Sequence, residues 1–314
     1  MTAPVIAVDG LGGDDAPGVV VEGVVAAVRS GSRVVLVGPV DVLRAAVAAA
    51  GASDLLNLTI EDAPEGIAMD ESPLAALRRK PRASIRVACA LVTSGAADAV
   101  YSAGHTGASL LAAHGAFGVA PGIERPALAV PVPTRDGYVV LLDAGANVDC
   151  RASHLAQFGV MGAALSRVLV GVPSPRVGLL SIGEEAAKGN ELTKEAHAAL
   201  GAMAIHFVGN IDAAQWLNGK ADVLVCDGFT GNIALKVGEA VVEMLAAGLP
   251  ANAWERFNHA KAGGAPLIGL DGLLVVGHGR ASAEAITNGI QLTARLSQGG
   301  LVAQVAEAVG RVLK

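Results

Sequence analysis

The stretch DVLVCDGFTGNIALKVGEA, residues 222–240, decides the fold. A run of β-branched and leucine residues meets Asp227-Gly228, turns through Phe-Thr-Gly-Asn, and passes into a pattern with Ile233, Val237, Val241 and Met244 at helical spacing. Strand, glycine turn, helix is the unit of a parallel α/β sheet, because a parallel strand must be followed by a crossover. The spacing of those four apolar residues predicts one helix face that packs inward.

The same unit recurs along the chain. VIAVDG (5–10), RVVLVG (33–38), LNLTIED (56–62), ADAVYSAG (97–104), ALAVPVPT (127–134), YVVLLDAG (138–145), RVGLLSIG (176–183), AIHFVGN (204–210), DVLVCDGF (222–229) and LLVVGHG (273–279) all read as short strands. Near-continuous apolar strands alternating with helices predict a mostly parallel sheet covered on both faces. Only Arg135-Asp136-Gly137 separates ALAVPVPT from YVVLLDAG, so that pair reads as an antiparallel hairpin and the sheet as mixed. No repeat or low-complexity linker cuts residues 1–314, which predicts a single catalytic unit, with two lobes around a cleft as the variant.

Composition limits the function. Hydrophobic residues make up 52% of the 314 and aromatics 3%, so Ala, Val and Leu must fill the core. A net charge of −6 with no basic arm argues against a nucleic-acid surface. Three scattered cysteines without C-x-x-C spacing suit a reduced, cytoplasmic protein. MTAPVIAVDG has no basic n-region, so no secretory leader is expected. Tyr101 to Ile123 holds no Asp, Glu, Lys or Arg, but its glycines, histidines and Pro121 predict a buried loop and helix rather than a span.

In parallel α/β sheets ligands bind beyond the carboxyl ends of the strands. Here those ends are polar and glycine-rich: Asp9-Gly10, Gly104-His105-Thr106-Gly107, Asp143 to Asn147, Gly183-Glu184-Glu185, Asp227-Gly228 and Gly277-His278-Gly279. They are expected on one rim. The turn at Thr230, Gly231 and Asn232 fits an anion site at a helix N-terminus, or simply a capped helix start. DGLGGDDAP (9–17) fits backbone donors around one small anion, or a tight turn; Asp14 and Asp15 stand where a dinucleotide fingerprint wants glycine. Lys188 in GEEAAKGNELTKEA (183–196) reads either as a solvated charge or as the neutraliser of an oxyanion or phosphate. ALRRKPRASIR (76–86) carries Arg78, Arg79, Lys80, Arg82 and Arg86, either an exposed basic helix end or a steering patch for an acidic partner. There is no G-x-S-x-G, no H-E-x-x-H and no zinc-like spacing. Cys226 is the one thiol at a strand end, and its alternation makes it a small core residue.

Taken in order, DGLGGDDAP, ESPLAALRRKPRASIRVA, SAGHTGA, PGIERPALAVPVPT, LLDAGANVDCRASHLAQFGVMG, PRVGLLSIGEEAAKGNELTKEA, FVGNID, KADVLVCDGFTGNIALKVGE, GGAPLIGLDG and GHG resemble the PlsX-type phosphate acyltransferases along nearly the whole chain. The resemblance implies a Rossmann-like three-layer α/β/α fold with a mixed, mostly parallel sheet, related to phosphotransacetylase and isocitrate dehydrogenase-like folds. It implies transfer of a fatty acyl group from an acyl-carrier-protein thioester to inorganic phosphate, by a homodimer; no cofactor and no metal ligand are assigned.

On that basis Gly12, Gly13, Gly104 to Gly107 and Thr230 to Asn232 are assigned to the phosphate cradle. Lys188 supplies positive charge, Asn147 and Asn190 are neutral donors, His278 carries a proton or orients a neighbour, and Asp9 and Asp227 position donors. The basic run from Arg78 to Arg86 is assigned to the acidic carrier protein. Two departures stand out. Gly104-His105-Thr106-Gly107 replaces the family's Gly-Asn-Thr-Gly, and the family's long helical hairpin is cut to residues 243–266, where Trp254 and Phe257 leave only weak peripheral membrane contact open. The alternatives are an enzyme acting on acyl-coenzyme A and a non-catalytic acyl-phosphate-binding regulator.

Overall fold

The computed structural model describes residues 3–246 and 259–312. The chain divides into two compact units, Met1–Gly118 with His259–Gly300, and Val119–Asn258 with Leu301–Lys314.

The first unit starts with β1 (Val5–Asp9), α1 (Gly18–Arg29), β2 (Arg33–Gly38), α2 (Val40–Ala49) and β3 (Leu58–Asp62). It continues through α3 (Pro73–Arg79), α4 (Ser84–Thr93), β4 (Ala99–Ser102) and α5 (Thr106–Phe117). The second unit contributes β5 (Ala127–Thr134), β6 (Gly137–Leu142), α6 (Ala152–Leu169), β7 (Val177–Ser181), α7 (Glu191–Gly201), β8 (Phe207–Asp212), β9 (Val223–Val225) and α8 (Gly228–Ala246). The chain then returns to the first unit with α9 (His259–Ala262), β10 (Ala265–Ile268), β11 (Leu274–Val276) and α10 (Ala283–Gln298). It closes in the second with α11 (Leu301–Val312).

In the first unit the strands run β3-β2-β1-β4-β11-β10, all parallel except β10, which is antiparallel to β11. The chain steps one way from β1 to β2 and the other way to β4. Right-handed crossovers therefore place helices on both faces of the sheet. Both faces being covered, the strands carry apolar residues throughout: Ile6, Ala7 and Val8 of β1 are all fully buried. Tyr101 is the largest buried side chain here, and a Cβ at Gly277 would fall 2.4 Å from its hydroxyl oxygen and one at Gly289 2.1 Å from its ring. Only glycine fits beside it.

The second unit runs β5-β6-β9-β7-β8, with β6, β9, β7 and β8 parallel. The expected hairpin is present, β5 pairing antiparallel with β6 up to Thr134 opposite Gly137. Helix α6 is buried continuously from His154 to Ser166, because it packs on β6 and β9 and is covered in turn by α7 and α11. Gly159 and Gly162 let it close onto its neighbours, since a Cβ there would lie 2.7 Å from Leu200 and 2.5 Å from Val223.

All ten anticipated strands form. The eleventh, β10, is not legible as a strand: APLI is four residues long, contains Pro266, and sits between Gly264 at φ +140° and Gly269 at φ +98°. The uncharged stretch from Tyr101 contains the twelve-residue α5, and among the described residues no helix is long and apolar enough to cross a membrane.

One expectation is overturned. Helix α8 does not turn its apolar face into its own unit: Ile233, Val237, Val241 and Met244 are 44% to 72% exposed, and Phe229 and Leu245 extend the same exposed ladder. Helical spacing identifies residues that share a face, but not what covers it.

Candidate functional site

In the first unit β1, β4 and β11 are neighbours and parallel, so their carboxyl ends bring Asp9 to Gly13, Gly104 to Gly107 and His278 to a common edge. Asp9 organises that edge. Its buried carboxylate accepts hydrogen bonds from Ser84 Oγ at 2.5 Å, Ser102 Oγ at 2.8 Å and the Leu11 N–H at 3.3 Å. Burial pushes its carboxyl above the ordinary value, and these three donors pull it back. Neither serine was singled out from sequence, because each joins Asp9 only across the fold.

The loops approach closely at Gly12, where a Cβ would lie 2.8 Å from the Gly104 nitrogen and 2.9 Å from Asp9 Oδ2. Gly13 adopts φ +119°, and the next N–H, from Asp14, donates to the Gly279 carbonyl at 2.9 Å. The N–H groups of Gly13 and Thr106 make no hydrogen bond among the described residues. They are donors of the kind an anion needs, Thr106 being the first residue of α5.

His105 is the N-cap of α5. Its Nδ1 accepts from the Gly107 N–H at 3.2 Å, which is the job an asparagine carbonyl would do there. Replacing His105 with Ala is expected to cost about 0.5–2 kcal/mol of stability, and with Asn close to nothing. Urea unfolding of the two variants checks this; equal losses would remove the capping role. At the β11 end, His278 Nδ1 accepts from the Arg280 N–H at 3.2 Å.

In the second unit β6, β9 and β7 are neighbours and parallel, so Asp143 to Asn147, Asp227 to Asn232 and Gly183 to Asn190 share an edge. The structure corrects several assignments here. Asp227 is the cap of α8: its carboxylate accepts the Thr230 N–H and the Thr230 hydroxyl, both at 2.8 Å, and its carbonyl accepts the Gly231 N–H. Thr230 and Gly231 are therefore not backbone donors for an anion. Asn147 is not a free amide donor either, since Nδ2 already donates to Pro126 O and to Asp143 Oδ2. Both corrections have one cause: the polar residues at a strand end satisfy one another before any ligand arrives.

What remains outward is Lys188, Asn190 and Asn232. The Lys188 stem folds over Gly183, its Cγ 3.2 Å from where a Gly183 Cβ would sit, and its ammonium makes no ion pair among the described residues. Asn190 caps α7 through Oδ1, which accepts from Thr193 N at 2.9 Å, leaving its amide nitrogen available. Asn232 is exposed and rests on Gly145, whose Cβ position lies 3.6 Å from the Asn232 Cγ.

These two edges can be set beside known proteins. Residues 5–304 match the family described as fatty acid synthesis protein. The phosphate acyltransferase of Desulforudis audaxviator is 44% identical, covering 98% of this chain and 96% of that protein. The phosphate acyltransferase of Nostoc punctiforme is 43% identical over 91% of each chain. The chain belongs to the phosphate acyltransferase family.

The fold of this phosphate acyltransferase family member is shared more widely. A phosphotransacetylase from Streptococcus pyogenes superposes with a TM-score of 0.66 at 20% identity, over 94% of each chain. A 4-hydroxythreonine-4-phosphate dehydrogenase from Klebsiella pneumoniae gives 0.58 at 18% identity, over 94% of this chain and 100% of that one. The mixed, mostly parallel α/β architecture is thus the isocitrate dehydrogenase-like one expected.

Within this phosphate acyltransferase frame, the basic run separates into two parts. Lys80 Nζ pairs with Glu71 at 2.5 Å and donates to Gly66 O, Arg82 pairs with Asp62 at 2.7 Å, and Arg86 donates to Leu77 O. Among the described residues Arg78 makes no such bond, and Arg79 reaches Glu71 only at 3.4 Å while standing largely exposed. Cys226 is buried with Sγ 3.6 Å from the Asp143 carbonyl, and burial pushes its thiol far above the ordinary value, so it is no nucleophile. Trp254 and Phe257 lie outside the described residues.

Proposed function

We propose that this chain transfers a fatty acyl group from an acyl-carrier-protein thioester to inorganic phosphate, releasing acyl phosphate and the carrier thiol. Membership of the phosphate acyltransferase family carries the reading. A phosphate oxygen adds to the thioester carbonyl carbon, charge collects on the carbonyl oxygen, and the carbon–sulfur bond breaks with thiolate leaving. No covalent enzyme intermediate is required. The protein holds a multiply charged nucleophile beside a carbonyl and stabilises the oxyanion.

Taken by itself, the first unit offers the Gly13 and Thr106 N–H groups as donors for such work, and the second, taken by itself, offers Lys188, Asn190 and Asn232. His278 is assigned to carrying a proton or orienting a neighbour. Thiol release should require phosphate, and should be fast with the carrier thioester and slow with acyl-coenzyme A. Equal turnover of both thioesters would assign the chain to the coenzyme A reaction, and release of neither would leave a binding protein.

Arg78 and Arg79 are the residues we assign to the acidic carrier. Reversing both to Glu is expected to raise KM for the carrier thioester about tenfold at low salt, and less at high salt. An unchanged KM at low salt would return them to ordinary surface. The exposed α8 ladder is assigned to a second copy of this chain in a homodimer, a reading that sedimentation of a Val237→Glu variant tests: an unaltered dimer, or a monomeric parent protein, sinks it. Localisation is proposed as cytoplasmic; residues 243–266 are the segment through which weak peripheral membrane contact would act, and flotation with anionic vesicles tests it.

A further inference from the structure

Among the described residues of the second unit, the side chain that accepts the most hydrogen bonds is one to which the reading above gives no role. The Asp143 carboxylate is fully buried at the end of β6. Its Oδ1 accepts the N–H groups of Leu128 at 3.0 Å, Gly145 at 3.1 Å and Ala146 at 2.9 Å. Its Oδ2 accepts the Asn147 N–H at 2.7 Å and the Asn147 Nδ2 at 2.8 Å. Five donors converge on one group.

The loop so wound is the surface on which α8 begins. The Asn147 carbonyl accepts the Gly228 N–H at 2.8 Å. A Cβ at Gly228 would lie 2.6 Å from that carbonyl, and one at Gly231 would lie 1.9 Å from the Asp143 carbonyl oxygen. Gly145 is held at φ +133°, and the Asn232 side chain sits on it, with Cβ, Cγ and Oδ1 at 3.5, 3.6 and 3.7 Å from the Gly145 Cβ position. The Asn232 amide makes no hydrogen bond among the described residues. Its direction is therefore set by the helix it starts from and the glycine it lies against, and both are placed by Asp143.

We infer that Asp143 is the positioning residue for Asn232: through the 143–147 loop it aims the Asn232 amide at the substrate anion. This rests on the acyl-transfer reading. The role belongs to a carboxylate and not to an amide. Donors meet both oxygens, so an amide NH2 in either orientation faces an N–H, and the loop must open.

The test is a double-mutant cycle in the full chain, following phosphate-dependent thiol release from the acyl carrier protein thioester. Asp143→Asn is expected to lower kcat/KM for phosphate about 10- to 100-fold, chiefly in the term that Asn232→Ala also changes, whether KM or kcat. In the Asn232→Ala background the same substitution should cost less than about threefold. Multiplying, independent losses would overturn the inference and leave Asp143 as a fold-supporting residue. If Asp143→Asn fails to fold, Gly145→Ala probes the same link from the glycine side, because a side chain at φ +133° strains the loop and its Cβ meets Asn232. Loss that disappears in the Asn232→Ala background supports the inference, and unchanged turnover or an independent loss overturns it. Absence of phosphate-dependent release by the unsubstituted chain would instead sink the functional reading itself, so the two failures are distinguishable.

Discussion

Lys188→Ala is expected to lower kcat of phosphate-dependent acyl transfer by about 10²–10³-fold without changing stability. An exposed lysine with no ion pair among the described residues contributes little to folding, so its removal should leave the unfolding midpoint in place. Its charge matters at the moment a dianionic nucleophile adds to a neutral carbonyl. At that point negative charge builds on an atom that carried little before, and a fixed ammonium stabilises the transition state more than the ground state. Its stem is steadied against Gly183, so the charge is held where it is needed. Lys220 is the control, because it is already paired with Glu184, and Lys220→Ala should change turnover little. Lys188→Arg should recover only part of the rate, since a planar fork does not replace a compact ammonium. Full activity of Lys188→Ala would remove the residue from the reaction.

Gly231→Ala should cost more than its single methyl group suggests. The added carbon would stand 1.9 Å from the Asp143 carbonyl oxygen and 2.9 Å from the Asp143 carbonyl carbon and Cys226 Sγ. The Asp143 backbone and the short, buried Cys226 side chain leave little that can yield, so the first turn of α8 must move away from the 143–147 loop. Overpacking of this kind costs about 1–3 kcal/mol. A shift on the order of 1 Å in the residues that hold substrate costs about 10²-fold in rate. Gly238→Ala in the same helix is the contrast, as no heavy atom lies within 4 Å of its Cβ position. That variant should be neutral or stabilised by up to about 1 kcal/mol, since alanine is the better helix former. Urea unfolding and thiol release on the pair decide the matter: wild-type behaviour of Gly231→Ala would mean that loop and helix are not in contact.

Function was legible largely because the strand-end segments carry so many specific residues in one order. The donors themselves were less so. Asn147 read as an available side-chain amide and Thr230 as an available backbone N–H, yet Asp143 and Asp227 claim them. A hydrogen-bond partner four residues away, like one across the sheet, is chosen by loop geometry that residue identity does not encode. Asp143 itself was only one polar residue in a glycine-rich run until its five donors could be counted.

The sequence by itself determined that this chain builds parallel α/β sheets with one hairpin, and which loops leave the strand ends. Those properties are local: β-branched runs, glycine turns and a three-residue connection act within a few positions of one another. Tertiary structure decided that APLI becomes β10, that the α8 ladder faces outward from its unit, and that Asp143 rather than Asn147 governs its loop. Each depends on what lies opposite a residue in space, and burial and hydrogen-bond satisfaction are settled there.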